Sequence, residues 1–162
     1  MGKLVVSGYT PIGYYKDPVK SAQTFITLDG KPHVLTGDWV AMQPDGSIKL
    51  LGRGSACINT GGEKVFAEEV EEVLKHHPGV ADAVVVGVPD PHRGELVAAV
   101  VQPSGIAPSD DELAAFVRQS LAGYKCPRHF VMVDSVGRSP SGKIDHQALK
   151  RLAAESVGRL AL

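Results

Sequence analysis

Hydrophobic positions follow two regimes along the chain. Over residues 1–51 they come in short alternating pieces separated by turn residues, which is a β pattern. Residues 4–7 predict a strand, and residues 8–15, with Pro11 and Gly13, predict a loop. Residues 17–25 predict a short helix with Asp17 as N-cap and Pro18 at the first helical position. Residues 33–36 and 39–43 read as strand pieces, 44–47 as a turn, and 47–51 as the returning arm of a hairpin. Gly52-Arg53-Gly54-Ser55 interrupts this pattern with two glycines in three residues. A boundary is expected there, giving a β-rich segment 1–51, a joint 52–55 and a second domain 56–162.

Beyond the joint, helical and strand patterns alternate. Residues 67–77 carry Val70, Val73 and Leu74 at helical spacing, with Glu68 and Glu69 in the first turn, where they suit the helix dipole. Pro78-Gly79 ends this helix, and His76-His77 would sit favourably at its C-terminus. Residues 80–88 are almost wholly apolar and predict a buried strand; residues 96–102 predict a second. Ser109-Asp110-Asp111-Glu112 is a capping box opening a helix with Leu113, Phe116, Val117 and Leu121 on one face and Gly123 as its stop. Residues 130–133 predict a third strand. Asp145 caps a last helix with Leu149, Leu152, Ala153 and Leu160 inward. The expected fold class is α+β: a three-stranded sheet plus a hairpin with about three helices, preceded by a β-rich remnant of a larger domain.

Composition narrows the function. With 162 residues and 43% hydrophobic, the chain is long and apolar enough to build a core. Lys+Arg of 17 against Asp+Glu of 18 leaves a net charge of −1, which argues against a binder of DNA or RNA phosphates. A small phosphorylated ligand needs only one or two cations and stays open. Cys57 and Cys126 have no zinc spacing, and the six histidines form no His-x-x-x-His pair, so no metal site is expected. Residues 1–6 are too short for a signal peptide, and no apolar run approaches the roughly 20 residues of a membrane helix. A soluble cytoplasmic protein with free thiols is expected. Ser55 and Ser141 lack a His/Asp set, which argues against a serine hydrolase.

Three segments carry candidate chemistry. In Ser139-Pro140-Ser141-Gly142-Lys143-Ile144-Asp145, a lysine follows a glycine in a loop that ends at a helix cap. Glycine permits close backbone approach and lysine offers a compact cation for phosphate or carboxylate. The same residues also suit a plain exposed turn, and they are not a Walker loop. Gly61-Gly62 before a helix suits either a ligand lying against the backbone or an ordinary hairpin tip. Arg53 beside the glycine joint is either a surface arginine or a contact to a ligand shared between domains. In Thr36-Gly37-Asp38, a carboxylate beside a glycine turn can accept hydrogen bonds from a vicinal diol such as ribose, or simply close the turn.

The order of these segments is more specific than any one of them. Thr36-Gly37-Asp38, Gly52-Arg53, Asn59-Thr60-Gly61-Gly62-Glu63-Lys64 leading to Glu69-Val70-Glu71, Gly87-Val88-Pro89-Asp90 with Gly94-Glu95, Tyr124-Lys125-x-Pro127 and Pro140-Ser141-Gly142-Lys143 follow one another. This series resembles the adenylate-forming enzyme superfamily, and within it the bacterial fatty-acyl-CoA synthetases. The resemblance implies a two-step ligase that converts a carboxylate, ATP with Mg2+ and coenzyme A into acyl-CoA, AMP and pyrophosphate. It implies that Lys143 is the catalytic lysine of adenylation, that Asp38 and Arg53 bind the nucleotide, and that Gly61, Gly62 and Glu63 form the loop on the coenzyme A side. It also implies a hinge at Gly54 and Ser55, although the family usually has Asp or Lys where Ser55 stands. The large N-terminal domain of that family, with its phosphate loop and acyl pocket, has no counterpart here. A C-terminal fragment, inactive alone, is therefore expected, with exposed β edges that favour a homodimer. Two other readings stay open: a fragment of an aryl-acid or amino-acid adenylating domain, and a stand-alone interaction module that docks on a separate N-terminal partner.

Overall fold

The computed structural model describes residues 1–160, apart from the side chains of Ser55, Arg159 and Leu160. It divides into two compact units, Met1–Ser55 and Ala56–Leu162.

The first unit is a four-stranded antiparallel sheet built around one long strand. Its elements are β1 (Gly2–Ser7), α1 (Pro18–Thr24), β2 (Phe25–Leu28), β3 (Lys31–Met42) and β4 (Ile48–Arg53), with β1, β2 and β4 all pairing to β3. The cap on α1 is as expected: Asp17 Oδ1 accepts the Lys20 N–H at 2.9 Å and Pro18 opens the helix. The two expected strand pieces at 33–36 and 39–43 are one strand. Residues 36–38 do not turn the chain; they form a bulge, because Lys3 pairs with Trp39 while Val5 pairs with Leu35. Gly37 supplies the positive φ of 86° that the bulge needs. Thr36 Oγ1 donates to the Leu4 carbonyl at 3.3 Å and accepts the Asp38 N–H at 3.2 Å.

This unit has little core of its own. Leu51 is its one buried hydrophobic side chain among the described residues. Met42 pairs with Ile48, and Val40 with Leu50, across the β3–β4 ladder. Met42, Ile48 and Leu50 remain 71%, 54% and 62% exposed. A sheet that buries so little apolar surface gains little hydrophobic stabilisation.

The second unit holds β5 (Cys57–Thr60), β6 (Glu63–Phe66), α2 (Ala67–Lys75), β7 (Val80–Asp90), β8 (Gly94–Pro103), α3 (Asp110–Ser120), β9 (His129–Met132) and α4 (His146–Leu160). The expected three strands and hairpin join in one five-stranded sheet of order β6-β5-β8-β7, with β9 parallel to β8. The apolar run in β7 is explained by burial on both faces. Ala83, Val85, Val97, Ala99 and Val101 pack with Val70 and Leu74 of α2 and with Leu113 and Val117 of α3. Val84, Val86, Val88, Ala98 and Val100 pack on the other side with Leu149 and Ala153 of α4.

Several local expectations need correction. Helix α3 ends at Ser120, where Leu121 turns extended, so Gly123 is not its stop. Leu152 is 38% exposed and does not join the core, whereas the Leu160 side chain lies outside the described residues. Of the two histidine side chains, that of His76 lies at the helix end, with Nδ1 2.6 Å from the Glu72 carbonyl. His77 is buried, edge-on to Phe116 with centroids 4.9 Å apart, and accepts the Gly79 N–H at 3.1 Å.

Candidate functional site

The Lys143 loop is held by its own backbone and by one arginine. Ser139 N–H donates to the Lys143 carbonyl at 2.9 Å, Gly142 N–H to the Ser139 carbonyl at 2.8 Å, and Lys143 N–H to Ser139 Oγ at 3.0 Å. Gly142 takes a φ of 77°, which a residue with a Cβ would adopt only with strain. Arg138 opens the loop: Nη1 lies 3.4 Å from the Gly142 carbonyl, and Nε and Nη2 clamp the two oxygens of Asp82 on β7. Asp145 Oδ1 then accepts the Ala148 N–H at 3.0 Å and caps α4. Lys143 itself is exposed, so its ammonium is presented outward by a short turn whose two flanks are pinned.

Gly61 and Gly62 form the tip between β5 and β6, with φ of 58° and 87°. Both have positive φ, the requirement of a tight two-residue hairpin turn. Gly61, Gly62 and Glu63 are exposed. The tip rests on the β7–β8 turn, where the Gly61 N–H donates to the Arg93 carbonyl at 2.9 Å.

In the first unit, Asp38 and Arg53 face each other as the last pair of the β3–β4 ladder, Arg53 Nε 3.4 Å from Asp38 Oδ1. Arg53 is 71% exposed and Asp38 24%. Gly54 lies in the 3₁₀ turn Gly54–Ala56, where a Cβ would stand 2.8 Å from Trp39 Nε1. Glycine at 54 is thus required by the indole, apart from any freedom it gives the backbone. Ser55 lies in the same turn; its side chain is outside the described residues.

Residues 69–143, from α2 through the Lys143 turn, match the AMP-binding enzyme C-terminal domain. Residues 69–143 thus carry the signature of the C-terminal domain of AMP-binding, adenylate-forming enzymes. A medium/long-chain-fatty-acid–CoA/3-oxocholest-4-en-26-oate–CoA ligase of Mycolicibacterium smegmatis is 50% identical over 155 residues, which is 95% of this chain and 28% of that protein. Among solved structures, the amide bond synthetase of Marinactinospora thermotolerans superposes with a TM-score of 0.80 at 35% identity, covering 93% of this chain and 30% of that one. The o-succinylbenzoate CoA synthetase of Bacillus subtilis gives 0.80 at 31% identity, covering 92% and 30%. The chain spans little more than a quarter of the length of the curated relatives it matches.

Within the second unit, the two candidate loops lie far apart. The Lys143 loop is tied to Asp82 near the start of β7, and the glycine hairpin to Arg93 just past its end. At a strand rise of roughly 3.3 Å per residue, the eight steps from Asp82 to Asp90 alone span about 26 Å of strand between the two ends. A cleft of about 260 Å³ between α3 and the start of β9, lined by Asp110, Asp111, Arg118, Cys126 and Arg128, includes neither loop. Among the described residues no cluster of three or more His, Cys, Asp or Glu could hold a metal ion, and no described helix is long and apolar enough to cross a membrane.

Sequence reasoning missed the residues that pin these loops. Asp82 and Arg138 are 56 positions apart, with nothing in the local pattern to pair them. Glu71, named above only as the end of the Glu69-Val70-Glu71 motif, is buried, and its Oε1 accepts the Val85 N–H at 2.9 Å.

These two carboxylates respond oppositely to acid. The hydrogen bonds from Arg138 hold Asp82 below the usual carboxylate range, whereas burial pushes Glu71 above it. A carboxylate with a depressed folded pKa adds stability above its unfolded value of about 4, and that stability is lost as pH falls through the lower folded value. Glu71 has the reverse sign: its ionised form opposes folding, so protonation as pH falls through its raised pKa relieves that cost. The Asp82→Asn variant should therefore be less stable than the parent by up to about 1 kcal/mol at pH 7, since the pair is partly exposed. The gap should narrow as pH falls below about 4 and close only beneath the lower folded value. Urea midpoints at pH 7 and pH 3 check this; a gap that is the same at both values would show that the Asp82 charge contributes nothing.

Proposed function

We propose that this chain is the C-terminal part of an ATP-dependent acyl-CoA synthetase, and that it supplies different loops to the two half-reactions. The observation that carries this reading is the placement of the Lys143 turn and the glycine hairpin at opposite ends of β7. One active centre can use both only in turn, after the domain reorients about the joint at Gly54 and Ser55.

In the first step a carboxylate oxygen attacks the α-phosphorus of ATP, bound as its magnesium complex, and pyrophosphate leaves. Two anionic groups must meet, and the Lys143 ammonium stabilises the charge where they do. Asp38 accepts hydrogen bonds from the ribose hydroxyls, and Arg53, beside it on the ladder, meets the adenylate. In the second step the coenzyme A sulfur attacks the acyl carbonyl and AMP leaves. The Gly61-Gly62-Glu63 loop lies along the thiol arm, where the absence of side chains at Gly61 and Gly62 lets the arm run close to backbone.

The bare sheet of the first unit supports reading residues 1–51 as the tail of a larger adenylating domain, with 56–162 as the mobile domain. Its exposed Met42, Ile48 and Leu50 are then covered by the rest of that domain. Alone, the chain lacks the phosphate loop and acyl pocket and turns nothing over; its uncovered face and strand edges favour self-association. The carboxylate is taken to be a medium or long fatty acid in a cytoplasmic enzyme.

Grafting the chain into the Mycolicibacterium smegmatis ligase, in place of the region it matches, tests the reading. The hybrid should form acyl-CoA from fatty acid, ATP and coenzyme A. A folded hybrid that makes neither acyl-adenylate nor thioester would overturn it. The similarity to an amide bond synthetase favours one second reading, in which an amine takes the acyl group. A hybrid that forms amide with a supplied amine and no thioester with coenzyme A would establish that reading instead.

A further inference from the structure

The Gly94-Glu95 pair is unexplained by any role given so far. Glu95, just past the turn into β8, reaches three other elements. Its Oε2 accepts the Asn59 N–H of β5 at 3.1 Å, and its Oε1 accepts a hydrogen bond from Lys150 Nζ of α4 at 2.9 Å. Its carboxylate lies over Gly87 of β7, where a Cβ would stand 2.7 Å from Oε1 and 2.9 Å from Oε2.

Gly87 is informative because its φ is not among the positive ones, so the backbone does not demand glycine there. Glycine inside a strand weakens it and marks a site of close approach. Here the strand forgoes a side chain in the middle of its buried run, and the space is filled by the Glu95 carboxylate. The seat for Glu95 is therefore built from both sides.

The hairpin needs such a hold. Thr60 and Gly94 are the one residue pair in register between β5 and β8. Besides that pair, the tip has the Gly61 bond to the Arg93 carbonyl. The Glu95 bond to Asn59 is a third tie, two residues from Gly61, and Lys150 fixes the carboxylate that makes it.

We propose that Glu95 is a positioning residue for the thioester-forming half-reaction, holding the Gly61-Gly62-Glu63 hairpin in place through Asn59. This rests on the assignment of that hairpin to the thiol side. Glu95 touches no substrate; it acts by removing freedom from the loop that does, where a displacement of about 1 Å can cost 10²-fold in rate.

Two variants and two readouts test it. In the 162-residue chain, Glu95→Ala should raise amide exchange at Asn59 and Gly61 at least about 10-fold, as expected for a local opening. Val84 and Val100 in the core should be unchanged. Glu95→Gln retains an acceptor for Asn59 and should keep most of that protection. In the hybrid ligase, Glu95→Ala should slow acyl transfer from supplied acyl-adenylate to coenzyme A about 10-fold or more while leaving adenylation within about twofold. Glu95→Gln should recover most of the transfer rate. Gly87→Ala, which crowds the carboxylate out of its seat, should mimic Glu95→Ala in both readouts. Unchanged exchange at Asn59 and Gly61 would overturn the proposal whatever the kinetics show. Faster exchange with normal transfer would instead overturn the assignment of the hairpin to the thiol side, and the proposal with it.

Discussion

In the hybrid ligase, Lys143→Ala should reduce acyl-adenylate formation by about 10²–10³-fold, the effect of removing one preorganised stabilising group from a developing charge. Thioester formation from supplied acyl-adenylate should stay within about twofold of the parent, because the proposed cycle gives the loop no part in that step. The loss should not come from unfolding, since Lys143 is exposed and its turn is held by Ser139, Gly142 and Arg138. Lys143→Arg should recover little, because a planar guanidinium does not reproduce a compact ammonium between two anions. Pyrophosphate release measures the first step and thioester absorbance the second. Equal loss in both would remove any step-specific role from Lys143.

The complementary change is Gly62→Val. The φ of 87° at Gly62 lies where a β-branched residue is strained, at a cost of about 1–3 kcal/mol. Nothing stands within 4 Å of the position a Cβ would take, so the strain is conformational, with no clash to relieve. The hairpin relieves it by changing its turn, which moves the tip and adds bulk where the thiol arm is proposed to lie. Acyl transfer should fall about 10²-fold while adenylation is preserved. The pair of variants would thus separate the half-reactions in opposite directions. Loss of adenylation in Gly62→Val would show that both loops serve the same step.

Much of this protein could be read from local pattern. The Asp17 and Ser109 caps, the Pro18 start and the apolar runs of β7 and β8 depend on neighbours a few residues away, so periodicity and capping chemistry reveal them. The ordered glycine, lysine and acidic motifs marked the family by resemblance, which local pattern alone does not supply. Tertiary structure decided what depends on distant partners. The strand β2 exists by pairing with β3, and four half-exposed residues after a helix carry too little pattern to announce it. The Gly37 bulge, which turns an expected glycine turn into continuous strand, depends on the register of β1. The clamp of Arg138 on Asp82 spans 56 positions, and Glu95 reaches 36 positions back to Asn59 and 55 forward to Lys150. Sequence by itself determined which residues are suited to the proposed chemistry, because charge and backbone freedom are properties of the residue. How those residues are held, and at which end of β7 each lies, was decided only when the sheet assembled, because a hydrogen bond depends on where folding brings its two ends together.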